Sequence, residues 1–152
     1  MLKLGLESGA QSVLDAEQKG IDLQLASRAL HNLKQAGIAT YVYLLFGTPS
    51  ESPTEARATL DFTVRHHDAI SFLNLAIFNL PICSQRALHL ETSPLYEGDL
   101  SLYTGFRHPK GWDRGAVRQF LAKEFKRHPV VKKILHRDPP FFTSNHAPFF
   151  KF

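Results

Sequence analysis

The sequence predicts an α/β fold built on a parallel sheet and followed by a helical, loop-rich extension. Three observations predict it. Lys3–Glu7, Ala39–Phe46 and Ile70–Phe78 are short strand-like runs, and the last two show little polar alternation. Helical segments separate the three runs, and from residue 80 onward the pattern stops. Apolar runs without alternation mark strands covered on both faces, and strand–helix–strand repeats build parallel sheets. A complete doubly wound domain or barrel has more than three strands, so the sheet is expected to be a piece of something larger.

Each element carries its own signal. Lys3–Glu7 is closed by Ser8-Gly9 and leads into a helix over about Ser12–Gln18, which Lys19-Gly20 ends. A second helix is expected from Asp22 to Ala36, with Asp22 as N-cap, Leu23, Ala26, Leu30 and Leu33 at helical spacing, and Gly37 as the stop. Ala39–Phe46 is β-branched and aromatic and ends at Gly47-Thr48-Pro49. Ser52-Pro53-Thr54-Glu55 then combines a capping box with proline at the first helical position, and the helix it starts runs to about His66. Ala56, Leu60, Thr63 and Val64 are its inward positions. Ile70–Phe78 is closed by Asn79-Leu80-Pro81.

Residues 80–112 read as loop, with Gly98, Gly105 and Gly111 among several prolines. A helix is expected over Asp113–Arg127, with Asp113 as N-cap and Val117, Phe120, Leu121 and Phe125 on one face. A shorter one follows Pro129, with Val131, Ile134 and Leu135 inward. The tail from Asp138 sets Pro139, Pro140 and Pro148 among five phenylalanines, a composition that opposes helix and favours packing on another surface.

Length and composition suit one domain: 152 residues, 43% hydrophobic and 21% charged. The one cysteine, Cys83, excludes an internal disulfide and gives no sign of an oxidising compartment, so a cytoplasmic location is expected. No apolar run approaches the roughly 20 residues that span a bilayer. The N-terminal residues lack the segment order of a signal peptide and read as a strand that begins abruptly. Charge is uneven: residues 1–100 carry 7 Lys and Arg against 11 Asp and Glu, and residues 101–152 carry 11 against 3. Such a basic half suits an acidic partner or, more simply, a solvated helix face, and no exposed aromatics or module accompany it to suggest nucleic acid. The eight histidines show no H-x-x-x-H spacing, so no metal site is assigned to them.

Two segments carry a resemblance. Leu4-Gly5-Leu6-Glu7-Ser8-Gly9, with Val13-Leu14 and Lys19-Gly20 after it, resembles the fourth strand and following helix of radical S-adenosylmethionine barrels. Leu44-Leu45-Phe46-Gly47-Thr48-Pro49, with Glu51 and Glu55, resembles their fifth strand and the loop beyond it. Their separation, including the Ala36-Gly37-Ile38 turn, also fits, and the nearest likeness is to the subgroup often fused to a cobalamin-binding domain. The resemblance covers residues 1–80. It implies half of a TIM-like partial (β/α) barrel, entered at the fourth strand, with residues 81–152 as a helical C-terminal extension.

The resemblance also implies S-adenosylmethionine and a [4Fe–4S] cluster for the parent iron–sulfur enzyme. That family holds the cluster on a C-x-x-x-C-x-x-C loop after its first strand, and a chain whose lone thiol is Cys83 lacks those ligands. Alone, it is expected to be inactive, with no catalytic residue of its own. The cofactor-binding positions carried over are Glu7, Ser8, Gly47, Thr48, Pro49 and Asn79, all where strands run out into loops. Carboxyl ends of parallel strands form the ligand face; there a Glu7 carboxylate can accept from ribose hydroxyls, and Gly47 lets backbone approach a flat ring. Ser8 equally suits a turn cap. Asn74, inside its strand, suits a satisfied amide, and Glu51 reads as an exposed or helix-start carboxylate. The expected partner is the missing N-terminal half of the barrel, a complementing chain or a second copy. The competing reading is a non-catalytic interaction module that uses the half-barrel and its basic tail.

Overall fold

The computed structural model describes residues 1–94 and 102–137. The expectations for residues 95–101 and for the aromatic tail from Asp138 fall outside the described residues. The fold is α/β, and its centre is a parallel sheet of β1 (Leu2–Glu7), β2 (Thr40–Phe46) and β3 (Phe72–Ile77) in sequential order. α1 (Gln11–Ala16) and α2 (Leu23–Gln35) connect the first pair, and α3 (Pro53–Arg65) connects the second.

The local signals act where the sequence puts them. Asp22 caps α2 by accepting from the Leu25 N–H at 2.8 Å. At the other end Gly37 takes φ 67°, so that the Ile38 N–H reaches the Leu33 carbonyl at 2.9 Å and the Gly37 N–H reaches Lys34 at 3.0 Å. That is the Schellman arrangement, which needs a residue that tolerates the left-handed region. α3 begins with the complete capping box of Ser52 and Glu55, with Pro53 in its first turn.

Paired residues in register share a face of the sheet. Leu4, Val42 and Leu73, then Leu44 with Leu75 and Phe46 with Ile77, face the helices. Their core takes in Leu30 of α2, Ala56, Leu60 and Phe62 of α3, and also Trp112, Val117, Phe120, Phe125, Val131 and Ile134 from the C-terminal segment. The extension therefore shares one core with the sheet. Phe46 is fully buried, with the rings of Phe125 and Phe120 at 5.3 and 6.1 Å.

The continuous helix expected over Asp113–Arg127 is instead α4 (Arg114–Phe120) followed by a π turn over Leu121–Phe125, with the Lys126 N–H donating to the Leu121 carbonyl at 3.0 Å. The packing explains the change. In an α-helix, residues five apart point about 140° away from each other, whereas an i→i+5 turn brings them onto one side. Both Phe120 and Phe125 thereby reach Phe46. α5 (Pro129–Leu135) completes the layer.

On the opposite face Tyr41 and Phe72 are buried and Tyr43 half-buried beside them, while Lys3 and Gly5 are exposed and Asn74 half-buried. Among the described residues β1 and β3 each pair only with β2, so the sheet has two strand edges. The segment read as loop holds a small antiparallel sheet of β4 (Leu80–Pro81), β5 (Thr92–Ser93) and β6 (Tyr103–Phe106), with a 3₁₀ turn over Gln85–His89. Strands this short lack a period long enough to read.

Candidate cofactor site at the carboxyl ends of the strands

β2 leaves the sheet at Gly47, whose φ of 78° lies in the left-handed region. A Cβ there would stand 3.1 Å from the Val117 Cγ2, so glycine is needed both for conformation and for the approach of α4. Beyond it Thr48 is buried, and its carbonyl accepts from the His108 Nε2 at 2.8 Å. With Nε2 donating, the His108 Nδ1 accepts the N–H groups of Lys110 and Trp112, each at 3.2 Å. Burial, foremost, lowers the His108 pKa, which keeps the ring neutral and suits this donor-and-acceptor role. One imidazole thus clamps the loop after β2 to the loop after β6.

Glu51 is the main correction to the sequence reading. It was expected at the surface or as a helix-start carboxylate, yet it is fully buried beneath the same loop. Its Oε2 accepts from the Gly47 N–H at 2.5 Å and from the Trp112 indole Nε1 at 2.9 Å, while Oε1 has no hydrogen-bond partner. Burial raises its pKa from 4.5 to about 7, against the two hydrogen bonds from Gly47 and Trp112, which lower it. Nearby Glu55 raises it further and Lys110 opposes that.

These contacts wall a cavity of about 110 Å³ between the ends of β2 and β3 and the loops above them. Gly47, Ile77, Phe78 and Asn79 line it from the parallel sheet, and Thr104, Phe106, His108, Trp112 and Arg114 from the extension. The Arg114 guanidinium donates to the Asn79 Oδ1 at 2.6 Å and to the Phe78 carbonyl at 3.3 Å, which sets the carboxamide's orientation. The lining has apolar and aromatic walls with a few polar groups at the rim.

The nominated residues divide into two groups. Gly47 and Asn79 line the cavity, and Thr48 and Pro49 form the loop beside it. Glu7 and Ser8 lie at the end of β1 and are not among the lining residues. Ser8 is buried, bonded to the Thr59 hydroxyl at 3.2 Å and accepting from the Ala10 N–H at 3.1 Å, so it fastens the β1 loop to α3. Glu7 has φ 67° and is bridged by the Ser8 N–H donating to the Leu6 carbonyl at 2.8 Å. Its carboxylate pairs with Lys19 at 3.5 Å.

His108, Trp112, Arg114 and Glu51 were not nominated. The legible signal for the first three was a loop carrying the chain's only tryptophan, His-Pro-Lys-Gly-Trp-Asp-Arg. Among the described residues no group of three or more His, Cys, Asp or Glu side chains is arranged to hold a metal, and Cys83 is exposed. Thiolate ligation of a [4Fe–4S] cluster needs several cysteines, so the residues of this chain do not fit that group. Among the described residues no helix is long and apolar enough to cross a membrane. No protein-family model matches the chain, and no curated protein or solved structure does so either.

Proposed function

We propose that this chain is the C-terminal half of a radical S-adenosylmethionine type barrel, contributing part of a pocket for the adenosyl group. The observation that carries this reading is the cavity at the carboxyl ends of β2 and β3, floored by a left-handed Gly47 and edged by Asn79. Ligands of parallel α/β folds sit at this end of the strands. S-adenosylmethionine brings a sulfonium-activated group to such a site. This chain's residues would bind and orient its flat base: Gly47 by backbone approach, Asn79 through an amide held by Arg114, and Phe106 and Trp112 as apolar walls. The cluster, and any electron it delivers, would have to come from residues outside this chain, namely the other barrel half or a complementing chain. The open edges of β1 and β3 are where further strands would add.

Titration of ¹⁵N-labelled protein with S-adenosylmethionine and with adenosine tests the reading. Shifts should centre on Gly47, Asn79 and the Trp112 indole, with an affinity weaker than about 1 mM because half the pocket is absent. Micromolar binding would refute a half-pocket, and shifts elsewhere would refute the site.

A second reading is favoured by one observation. Arg118, Lys123, Lys126, Arg127, Lys132 and Lys133 are all exposed, and none of their side chains has a hydrogen bond or ion pair among the described residues. As a non-catalytic module, the chain would use this face and the β1 edge to hold an acidic partner chain. Light scattering separates the two: a larger species on adding a complementing barrel half supports the first reading, and one formed with an acidic partner chain but not with the barrel half supports the second.

A further inference from the structure

On the outer side of the sheet, away from the cofactor cavity, α2 and α3 stand apart and leave an open groove. Two adjoining hollows of about 490 and 600 Å³ share Ser27, Arg28, Arg65 and His66 as their common walls. At the junction the Ser27 hydroxyl and the His66 Nε2 are 2.6 Å apart. The His66 Nδ1 donates to the Phe62 carbonyl at 2.9 Å, and its ring stacks on Phe62 with centroids 4.1 Å apart. This pair ties α2 to the end of α3, the two helices that carry Arg28 and Arg65.

Neither guanidinium has a hydrogen bond or ion pair among the described residues. By contrast Arg57, Arg86, Arg107, Arg114 and Arg137 are each bonded to a carboxylate, carboxamide or carbonyl. Of the other charged groups in the groove, Lys34 and Asp68 neutralise each other, which leaves Asp61 as the one acid opposing two arginines. One end of the groove carries an apolar wall of Leu23 and Ala58 over the buried Phe62, beside Gln24 and Asp61.

We propose that this groove binds a phosphomonoester, its phosphate held between the Arg28 and Arg65 forks and its organic group laid along the apolar wall. Planar guanidinium forks match tetrahedral oxyanions in a bidentate way, and the helices that carry these two are already braced against each other. The site is independent of the cofactor cavity and does not rest on the barrel reading.

The test is a titration of the ¹⁵N-labelled full chain with inorganic phosphate and with phenyl phosphate, ionic strength being held constant with chloride. Saturable shifts are expected at Ser27, Arg28, Arg65 and His66, with phenyl phosphate several-fold tighter than phosphate. Arg28→Gln and Arg65→Gln should each weaken binding at least fivefold, Arg65→Lys less so, and Asp61→Asn should tighten it. Arg107→Gln, at an exposed pair with Glu91 outside the groove, should leave it unchanged. An unaltered melting temperature in each variant shows that the fold survives. Shifts that never saturate, that spread evenly over Arg118 and Arg127, or that saturate with unchanged affinity in Arg65→Gln would overturn the proposal.

Discussion

Replacing Glu51 by glutamine isolates the most perturbed group in the site. Its carboxyl titrates near 4.5 when free and near 7 in the folded chain, a difference of about 2.5 units. At about 1.4 kcal/mol per unit, the folded state loses roughly 3 kcal/mol when this proton is removed. The sign follows from which state holds the proton more tightly. Below 4.5 the group is protonated both folded and unfolded, and there is no penalty. Between 4.5 and 7 stability falls as pH rises, and above about 7 the whole penalty is present. Glutamine cannot titrate and keeps an oxygen for the Gly47 and Trp112 donors, although its amide nitrogen would meet the position where Oε1 has no partner. Leaving that nitrogen unsatisfied costs about 1–3 kcal/mol at every pH. The diagnostic is therefore the slope and not the level. Urea unfolding at pH 5, 6, 7 and 8, followed by the fluorescence of Trp112, should show the wild type losing about 2.5 kcal/mol relative to Glu51→Gln across that range. His108 titrates with the opposite sign, since its lowered pKa removes stability as pH falls, but it is common to both proteins and drops out of the difference. Parallel curves would refute the argument that Glu51 is buried with its proton.

Two further changes test the frame around it. Gly47→Ala forces a side chain to φ 78° and places a Cβ 3.1 Å from Val117, so it should destabilise by about 1–3 kcal/mol and blunt adenosine-induced shifts at Trp112. Ser52→Ala removes half of the capping box of α3 and should cost about 1 kcal/mol in urea unfolding without altering any ligand titration.

How far the sequence spoke depended on the range of the interaction. Caps and stops are local, and Asp22, Gly37, Ser52, Pro53 and Asp113 all act where their neighbours in sequence indicate. The inward positions of α2, α3 and α5 followed from helical period alone, and Leu30, Ala56, Thr63, Val131 and Ile134 are buried as expected. The π turn was not legible, because its cause is Phe46, more than seventy residues away, drawing two aromatics to one side. β6 was missed for a related reason: Tyr103–Phe106 is defined by its partners Leu80 and Thr92, not by any pattern of its own.

The site shows the same limit more sharply. Gly47 and Asn79 could be placed beside the cavity from sequence because each stands where an apolar strand of a parallel sheet runs out into its loop. Glu51 was not, since a glutamate one residue before a capping serine ordinarily sits in water beside a helix start. Only the return of Trp112 and His108 over the loop takes it out of water, and those residues lie sixty positions on. Glu7 presents the converse case. It was nominated as a ligand group, and it is the central residue of a γ-turn at φ 67°, a conformation that costs a non-glycine residue about 1–3 kcal/mol. Strain of that size persists only where surrounding contacts over-determine it. Here they do: Ser8 is bonded to Thr59 on one side of the turn, and Lys19 holds the carboxylate on the other. The turn aims the Glu7 carboxylate back over Gly5, where a Cβ would stand 3.2 Å from its Oε1, and so toward the sheet face that carries Tyr43. That face is the side away from the helices, and in a closed barrel it is the interior. The strained turn at Glu7 and the left-handed Gly47 thus mark neighbouring strand ends, one directed to the face that carries Tyr43 and one lining the cavity.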